Sequence, residues 1–106
     1  MNLIRGDTFL KTWQVYNEDG TLYIFQPNDI VRYCLYKDLD VPVLSKKITI
    51  EDKKETVDII YSSDETKELE SGKYILEIEL TFNDNFVKTF KHEIMIERDA
   101  IVWLIN

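Results

Sequence analysis

The segment from Ser63 to Leu80 constrains the fold of this chain more than any other feature of the sequence. It has a polar stretch with a single leucine, then Gly72, then a run in which apolar and polar side chains alternate. This order predicts one short helical turn, a glycine exit and a half-buried antiparallel strand. Many β-sandwich domains cross from one sheet to the other in this way, so the segment predicts a sandwich.

Four residues have defined roles in the predicted crossing. Asp64 caps the helical turn through its side-chain oxygen, and Leu69 points into the core. Gly72 supplies left-handed backbone at the exit. Tyr74 begins the strand, with its ring at the end of the core and its hydroxyl bonded back to the crossing loop, as in a tyrosine corner. An ordinary buried tyrosine after an ordinary loop is the alternative.

The remainder of the chain is predicted to form short strands separated by turns. Asn17-Glu18-Asp19-Gly20 and Asn83-Asp84-Asn85 are turn signals, and Pro27 interrupts a strand. Residues 41–45 contain Pro42 and indicate an edge strand or a loop. The other predicted strands are 10–16, 22–25, 30–36, 46–50, 56–61, 74–82 and 86–96, the last with Phe86, Phe90, Ile94 and Ile96 in phase. The predicted fold class is all-β, an Ig-like antiparallel β-sandwich of seven or eight strands.

Composition narrows the classes of partner and the compartment. The 106 residues suffice for one domain, and a net charge of −7 disfavours both nucleic acid and anionic membranes as partners. Cys34 is the only cysteine, which fits a reducing compartment of synthesis. The first residues have no apolar run typical of a signal peptide. We therefore expect synthesis and folding in a cytosol.

The last residues of the sequence are unusually apolar. We divide the chain into a sandwich domain, residues 1–98, and an apolar tail, residues 99–106. An unpaired apolar strand is an association hazard unless something covers it. Either the tail packs as a final strand on its own sheet, or it pairs with a second chain. The interface candidates are Ile101, Val102, Trp103, Leu104 and Ile105.

No group of residues in the sequence forms a recognisable catalytic, cofactor or metal motif. His92 is the only histidine and lies in phase with Phe90, which indicates a histidine at the rim of the core. Cys34 has no histidine at an informative spacing, so we expect an inert packed thiol. Arg5-Gly6-Asp7 matches a tripeptide that integrins bind, but a turn before a strand is its expected role. The sequence predicts no enzyme activity and no cofactor.

A pattern of turns and alternation extends over residues 4–97. It consists of Ile4-Arg5-Gly6-Asp7-Thr8-Phe9, Asp19-Gly20, Asn28-Asp29-Ile30, Asp64-Glu65-Thr66, Leu69, Gly72-Lys73-Tyr74, Glu77-Ile78 and Glu93-Ile94. The pattern resembles small Ig-like modules encoded by tailed phages and prophages of Gram-positive bacteria, such as the N-terminal domain of phage baseplate upper proteins. The resemblance implies an Ig-like building block of a virion that works through protein contacts and has no catalytic residues.

Two functions follow as hypotheses. The first is a non-catalytic structural or protein-interaction module of a phage or prophage tail or baseplate, with other protein chains as partners in a homo-oligomer or a virion. The second is a carbohydrate-binding module in which exposed Trp13, Tyr23, Tyr36 or Trp103 stacks on sugar rings, the alternative being that most of these rings fill the core. A coplanar row of exposed rings favours the second hypothesis, and a single patch centred on the tail favours the first.

Overall fold

Two β-sheets form the two layers of this protein in the computed structural model, which describes residues 2–38 and 41–97. One helical turn, α1 (Ser63–Thr66), lies between the fifth and sixth strands. The described strands are β1 (Asn2–Ile4), β2 (Phe9–Trp13), β3 (Ile30–Lys37), β4 (Val41–Thr49), β5 (Val57–Tyr61), β6 (Gly72–Thr81) and β7 (Val87–Glu97). The expected all-β class and sandwich-like arrangement are confirmed.

The larger sheet has the strand order β1-β7-β6-β3-β4, and the smaller sheet consists of β2 and β5. All pairs are antiparallel except β1 with β7, which run parallel. β6 is central in the larger sheet, and its buried side chains alternate with partly exposed ones as the sequence predicted. β1 and β4 are therefore the edges of the larger sheet.

The core lies between the two sheets and receives alternate residues from β3, β5 and β6. Two tyrosine hydroxyls also join the layers through the backbone. Tyr33 of β3 donates to the carbonyl oxygen of Ile60 at 3.2 Å, and Tyr61 of β5 donates to that of Leu44 at 3.3 Å. The most deeply buried apolar side chains are Phe25, Val31, Leu35, Ile50, Ile59, Tyr61, Leu76, Ile78, Leu80, Ile94 and Ile96.

Several predicted strand boundaries were wrong. The predicted strand 10–16 is observed as β2, which is shorter and begins one residue earlier. Residues 22–25 form no strand and make only isolated bridges, Leu22 with Tyr16 and Phe25 with Lys54. Residues 41–45 form the edge strand that was one of the two predicted alternatives, and this strand, β4, continues without a break to Thr49, since Pro42 is tolerated on a sheet edge. β1 was not predicted at all. Three residues are too few to show a period, and β1 depends on β7 for its pairing.

The helical turn of the crossing is capped by Ser62 rather than by Asp64, so this prediction was wrong. The Ser62 hydroxyl accepts from the Glu65 N–H at 3.2 Å, and the Glu65 carboxylate accepts from the Ser62 N–H at 2.9 Å. Both groups of a capping box are thus satisfied, with the cap two residues earlier than expected. Asp64 lies within the turn and pairs with Lys67 at 2.9 Å.

Gly72 has positive φ, 139°, but it begins β6 and does not end the helical turn. The turn ends at Thr66, with Lys67 as its C-cap in right-handed helical conformation. The predicted glycine exit from the helix was therefore wrong, although the backbone at this position does favour glycine. Leu69 is buried in the core, as predicted.

Tyr74 makes the hydrogen bond that the sequence predicted. Its ring is buried and its hydroxyl donates to the carbonyl oxygen of Glu70 at 2.9 Å. The acceptor lies in the loop that follows α1, so the bond fastens the crossing to the start of β6. Burial is the main cause that raises the pKa of the Tyr74 phenol, and the hydroxyl therefore remains a donor at neutral pH.

We expect Tyr74→Phe to lower the free energy of unfolding by about 1 kcal/mol or more, because the buried tyrosine loses its partly buried hydrogen bond to the Glu70 carbonyl. Urea unfolding monitored by circular dichroism measures the change. Tyr16→Phe is the matched control, since the Tyr16 hydroxyl bonds only the exposed Gln14 side chain at 3.3 Å. Equal midpoints for Tyr74→Phe and wild type would show that the bond contributes nothing.

Glu65 makes the crossing sensitive to acid. Its carboxylate accepts from the Lys46 ammonium at 2.7 Å as well as from Ser62. These bonds, that of Lys46 first, lower the pKa of Glu65 from its ordinary 4.5. A carboxyl whose pKa is lower in the folded state stabilises the protein above its unfolded pKa, and this stabilisation is lost as pH falls towards the folded value.

We therefore expect wild-type protein to lose more stability between neutral pH and the acid side of the ordinary glutamate pKa than Glu65→Gln does. Chemical unfolding at a series of pH values tests this expectation. Glu68→Gln removes the same charge from an exposed residue nearby and serves as the control. If Glu65→Gln and Glu68→Gln follow parallel pH curves, the Lys46–Glu65 pair is not the cause.

Candidate functional site

An aromatic cleft of about 400 Å³ lies at the end of the sandwich where two loops meet. One loop is the turn after Tyr16, and the other is the β6–β7 hairpin. We call this site the loop-end cleft and define it by its four rings, Tyr16, Tyr23, Phe82 and Phe86. The other residues that line it are Val15, Asn17, Glu18, Asn83, Asp84 and Lys88.

Both loops are held by the turn chemistry that the sequence predicted. In the first, Gly20 has φ 88° and the Asn17 N–H donates to the Thr21 carbonyl at 2.7 Å. In the second, Asn85 has φ 70° and the Phe82 N–H donates to the Phe86 carbonyl at 2.8 Å. Asparagine and glycine tolerate these positive φ values better than other residues do. The rings of the cleft therefore project from two closed turns.

The rings of the loop-end cleft meet at steep angles. Tyr23 and Phe82 pack edge to face, with centroids 5.1 Å apart and planes at 83°. Phe82 and Phe86 are 5.9 Å apart at 50°. Two rings remain largely open, since Phe86 is 64% exposed and Tyr16 is 57% exposed. The cleft thus has an inner aromatic pair and two outer rings, and Phe82 and Phe86 do not lie in one plane.

Asp29 supports the cleft from behind. It is fully buried, and its carboxylate accepts three hydrogen bonds: from the Tyr23 hydroxyl at 2.5 Å, the Gln26 N–H at 2.9 Å and the Asn83 N–H at 2.9 Å. One side chain therefore fixes a ring of the cleft and the first residue of the hairpin loop. Such a satisfied buried network orders the groups that it joins.

The hydroxyl of Tyr23 remains protonated in this setting. Burial, followed by the hydrogen bond to Asp29, raises the pKa of the Tyr23 phenol. The carboxylate of Asp84 also has an internal role, since it accepts from the Phe86 N–H at 3.1 Å. The cleft can therefore contact apolar and polar side chains of a partner. Glu18 and Lys88 also line it.

The structure corrects the predicted sugar-binding aromatics. Trp13 is only 5% exposed and packs between Phe25 and Phe90, so it cannot present a face to a ligand. Tyr23 is partly buried and its hydroxyl is engaged by Asp29. Tyr36 lies apart from the cleft, on the outer face of the larger sheet, and is half-buried. Trp103 lies outside the described residues.

Apart from Phe86, the other candidates lie away from the loop-end cleft, and two of them, Tyr36 and His92, line a second cavity of about 210 Å³. Phe86 was predicted on the core face of its strand, but it lies before β7 and is exposed. His92 is half-buried, as a rim position predicts, and its Nε2 has no hydrogen-bond partner among the described residues. Cys34 is half-buried rather than fully packed, with Sγ 3.8 Å from the Leu35 carbonyl oxygen. These side chains lie outside the loop-end cleft.

The Arg5-Gly6-Asp7 tripeptide forms the predicted turn before β2 and is tied to the crossing. The Gly6 N–H donates to the Thr66 hydroxyl at 3.1 Å, and this hydroxyl donates to the Asp7 carbonyl at 2.7 Å. Thr66 is completely buried. These hydrogen bonds give the tripeptide a structural role, because they hold its turn against the crossing.

The predicted interface residues, Ile101, Val102, Trp103, Leu104 and Ile105, lie outside the described residues. The residues of the predicted crossing, Asp64, Leu69, Gly72 and Tyr74, all belong to the scaffold and not to the cleft. Sequence reasoning missed the cleft itself. The two loops were recognised as turns, but the sequence carried no signal that they would lie side by side.

Within residues 2–38 and 41–97, no group of three His, Cys, Asp or Glu side chains is arranged to hold a metal ion. No described helix is long and apolar enough to cross a membrane. Comparison with protein-family models, curated proteins and solved structures finds no match to this chain.

Proposed function

We propose that this chain is a non-catalytic protein-interaction module that contacts its partner through the loop-end cleft. The observation that carries the proposal is the exposure of Phe86 and Tyr16 above an inner ring pair that is already held in place. Exposed aromatic residues beside a preformed pocket are typical of energetically dominant contacts between proteins. Because Asp29 fixes the wall of the cleft, little ordering remains to be done on binding.

The ring geometry favours a protein partner over a sugar. A sugar face is flat and stacks on rings that lie parallel to it. Phe82 and Phe86 are inclined at 50°, and Tyr23 and Phe82 are nearly perpendicular. Irregular apolar side chains fill such a cleft better than a flat ring does. The described aromatic residues therefore support the first of the two functional hypotheses.

The finer assignment in this proposal is an Ig-like module of a phage or prophage virion. It is supported by the β7-β6-β3-β4 order opposite β2 and β5, which matches the arrangement of strands G, F, C and C′ opposite B and E in Ig domains. The hydrogen bond of Tyr74 back to Glu70 is a second Ig-like feature. The resemblance over residues 4–97 supports the virion setting.

Phe86→Ser tests the role of the cleft. We expect it to weaken association about tenfold or more, since truncating a dominant aromatic contact costs about 2 kcal/mol. Light scattering of the purified chain at micromolar concentration measures self-association. Quantitative mass spectrometry of phage particles from a host that expresses the tagged variant measures how much of the variant is incorporated. Ile60→Ser is the matched control, because Ile60 is also an exposed apolar residue but lies away from the cleft.

Two outcomes would contradict the proposal. A strictly monomeric wild-type chain that is absent from particles would remove the basis for a protein-interaction module. Equal effects of Phe86→Ser and Ile60→Ser would show that the loop-end cleft is not the contact surface. Both variants must unfold at the same midpoint as wild type, so that a change in association is not caused by a loss of folded protein.

A further inference from the structure

The loop-end cleft has more negative than positive charge beside its rings. Glu18 and Asp84 both line it, and neither carboxylate forms an ion pair among the described residues. Lys88 is the only cation among the described lining residues, and its ammonium lies 5.6 Å from the centroid of the Phe90 ring, which does not line the cleft. The cleft therefore presents two carboxylates that can pair with a cation of another molecule.

The carboxylate of Asp84 is held in place next to the rings. Its Oδ1 atom accepts from the Phe86 N–H at 3.1 Å, so the charge is fixed beside an exposed ring of the cleft. The charge also acts on the inner ring pair, since burial, then Asp29 and then Asp84 raise the pKa of the Tyr23 phenol. A negative charge thus lies next to aromatic faces that themselves carry partial negative charge.

Rings and carboxylates in one cleft favour a cationic group. An aromatic face attracts a lysine or arginine head group that lies within about 6 Å of the ring centroid. Among the described residues, the rings that have a lysine in this position are Tyr61 and Phe90, and neither lines the cleft. The outer rings, Tyr16 and Phe86, are largely exposed, so the side chain of a partner can reach them. The net charge of −7 also attracts a cationic partner from a distance.

We propose that the loop-end cleft binds an arginine side chain of the partner protein, an inference that rests on the proposed function. The planar guanidinium stacks on an aromatic face and donates to a carboxylate from its edge, whereas the lysine ammonium is a compact and more strongly hydrated charge. One guanidinium needs only one ring, so the angle of 50° between Phe82 and Phe86 does not oppose its binding. The methylene stem of the arginine packs along the other rings.

Nuclear magnetic resonance of the full chain tests the proposal with N-acetyl-arginine methylamide and its uncharged isostere, N-acetyl-citrulline methylamide. The readout is the ¹H shift of the Tyr16 ring during titration, and the buried Tyr74 ring is the internal reference. We expect the arginine amide to bind about tenfold more tightly than the citrulline amide, because the ring faces and the carboxylates attract its positive charge. N-acetyl-lysine methylamide should bind more weakly than the arginine amide.

Two variants show which groups cause the preference for arginine over citrulline. Phe86→Leu keeps an apolar side chain but removes a ring face, and it should lower the preference about twofold or more. Glu18→Gln removes a carboxylate of the cleft and should have an effect of similar size. Glu68→Gln is the matched control, since it removes the same charge from an exposed residue that does not line the cleft, and it should leave the preference unchanged.

Equal titrations with the arginine and citrulline amides, or no shift with either, overturn the proposal. Tighter binding of the lysine amide also overturns it, in favour of an ammonium group. These outcomes leave the proposed function standing, because the association assay with Phe86→Ser does not depend on which side chain of the partner enters the cleft. Equal association of wild type and Phe86→Ser would instead contradict the proposed function, whatever the amides do.

Discussion

Asp29→Ala is expected to lower the free energy of unfolding by about 3–5 kcal/mol. The buried carboxylate accepts from Tyr23, Gln26 and Asn83. Alanine leaves these three donors without their acceptor at a position where the carboxylate itself is fully buried. Since a domain of this size has a total stability of about 5–15 kcal/mol, the variant should unfold at markedly lower denaturant concentration. Urea unfolding at neutral pH measures the change.

Two further variants show whether the hydrogen-bond network is the cause. Tyr23→Phe removes one donor and should cost about 1–2 kcal/mol. Asp29→Asn keeps the shape of the side chain but replaces one acceptor oxygen with a donor, so its effect should lie between those of the other two. Asp29→Ala with a loss below about 1 kcal/mol would contradict a structural role for the carboxylate.

Trp13→Ala is expected to cost about 3–5 kcal/mol, because it removes a large buried ring and leaves a cavity. The Trp13 ring packs at 5.2 Å and 78° against Phe90 of the opposite sheet, and at 5.9 Å against Phe25. It therefore bridges the two layers. Guanidinium unfolding, followed by circular dichroism rather than by tryptophan fluorescence, measures the loss.

Trp13→Phe is the comparison variant, since it keeps an aromatic ring of smaller volume and should lose clearly less stability than alanine. This pair of variants also separates core packing from a sugar-binding role for Trp13. A ligand-stacking ring would be replaced with little loss of stability. A change below about 1 kcal/mol for Trp13→Ala would therefore contradict the packing described here.

Much of the fold could be predicted because its main strands carry a two-residue period. β3, β5 and β6 alternate clearly, and the structure has them within one or two residues of the predicted bounds. The errors occur where pairing, and not local pattern, decides the structure. β1 exists because β7 pairs with it, and Ser62 caps α1 because Glu65 can reach back to it.

The candidate site could be predicted only in part. Turn chemistry identified the loops that carry Asn17 and Asn83, but their proximity depends on the order of strands in three dimensions. Asp29 was recognised only as part of a turn after Pro27. Its partners include Asn83, 54 positions later, and no spacing rule connects the two. Trp13 fills the core, which the sequence left open as the alternative to exposure, because an aromatic residue in a strand has the same pattern on either face.

The parallel pair of β1 and β7 has a consequence for how the protein acquires its structure during synthesis. β1 precedes all the other described strands in the chain and its partner β7 follows them, with Asn2 beside Met95. Contacts between such distant positions carry the highest cost of loop closure and form late. A nascent chain that has not yet completed β7 can pair β3 with β4 and β6, but β1 has no place to bind. The earliest of the described strands is therefore the last to be fixed in the sandwich.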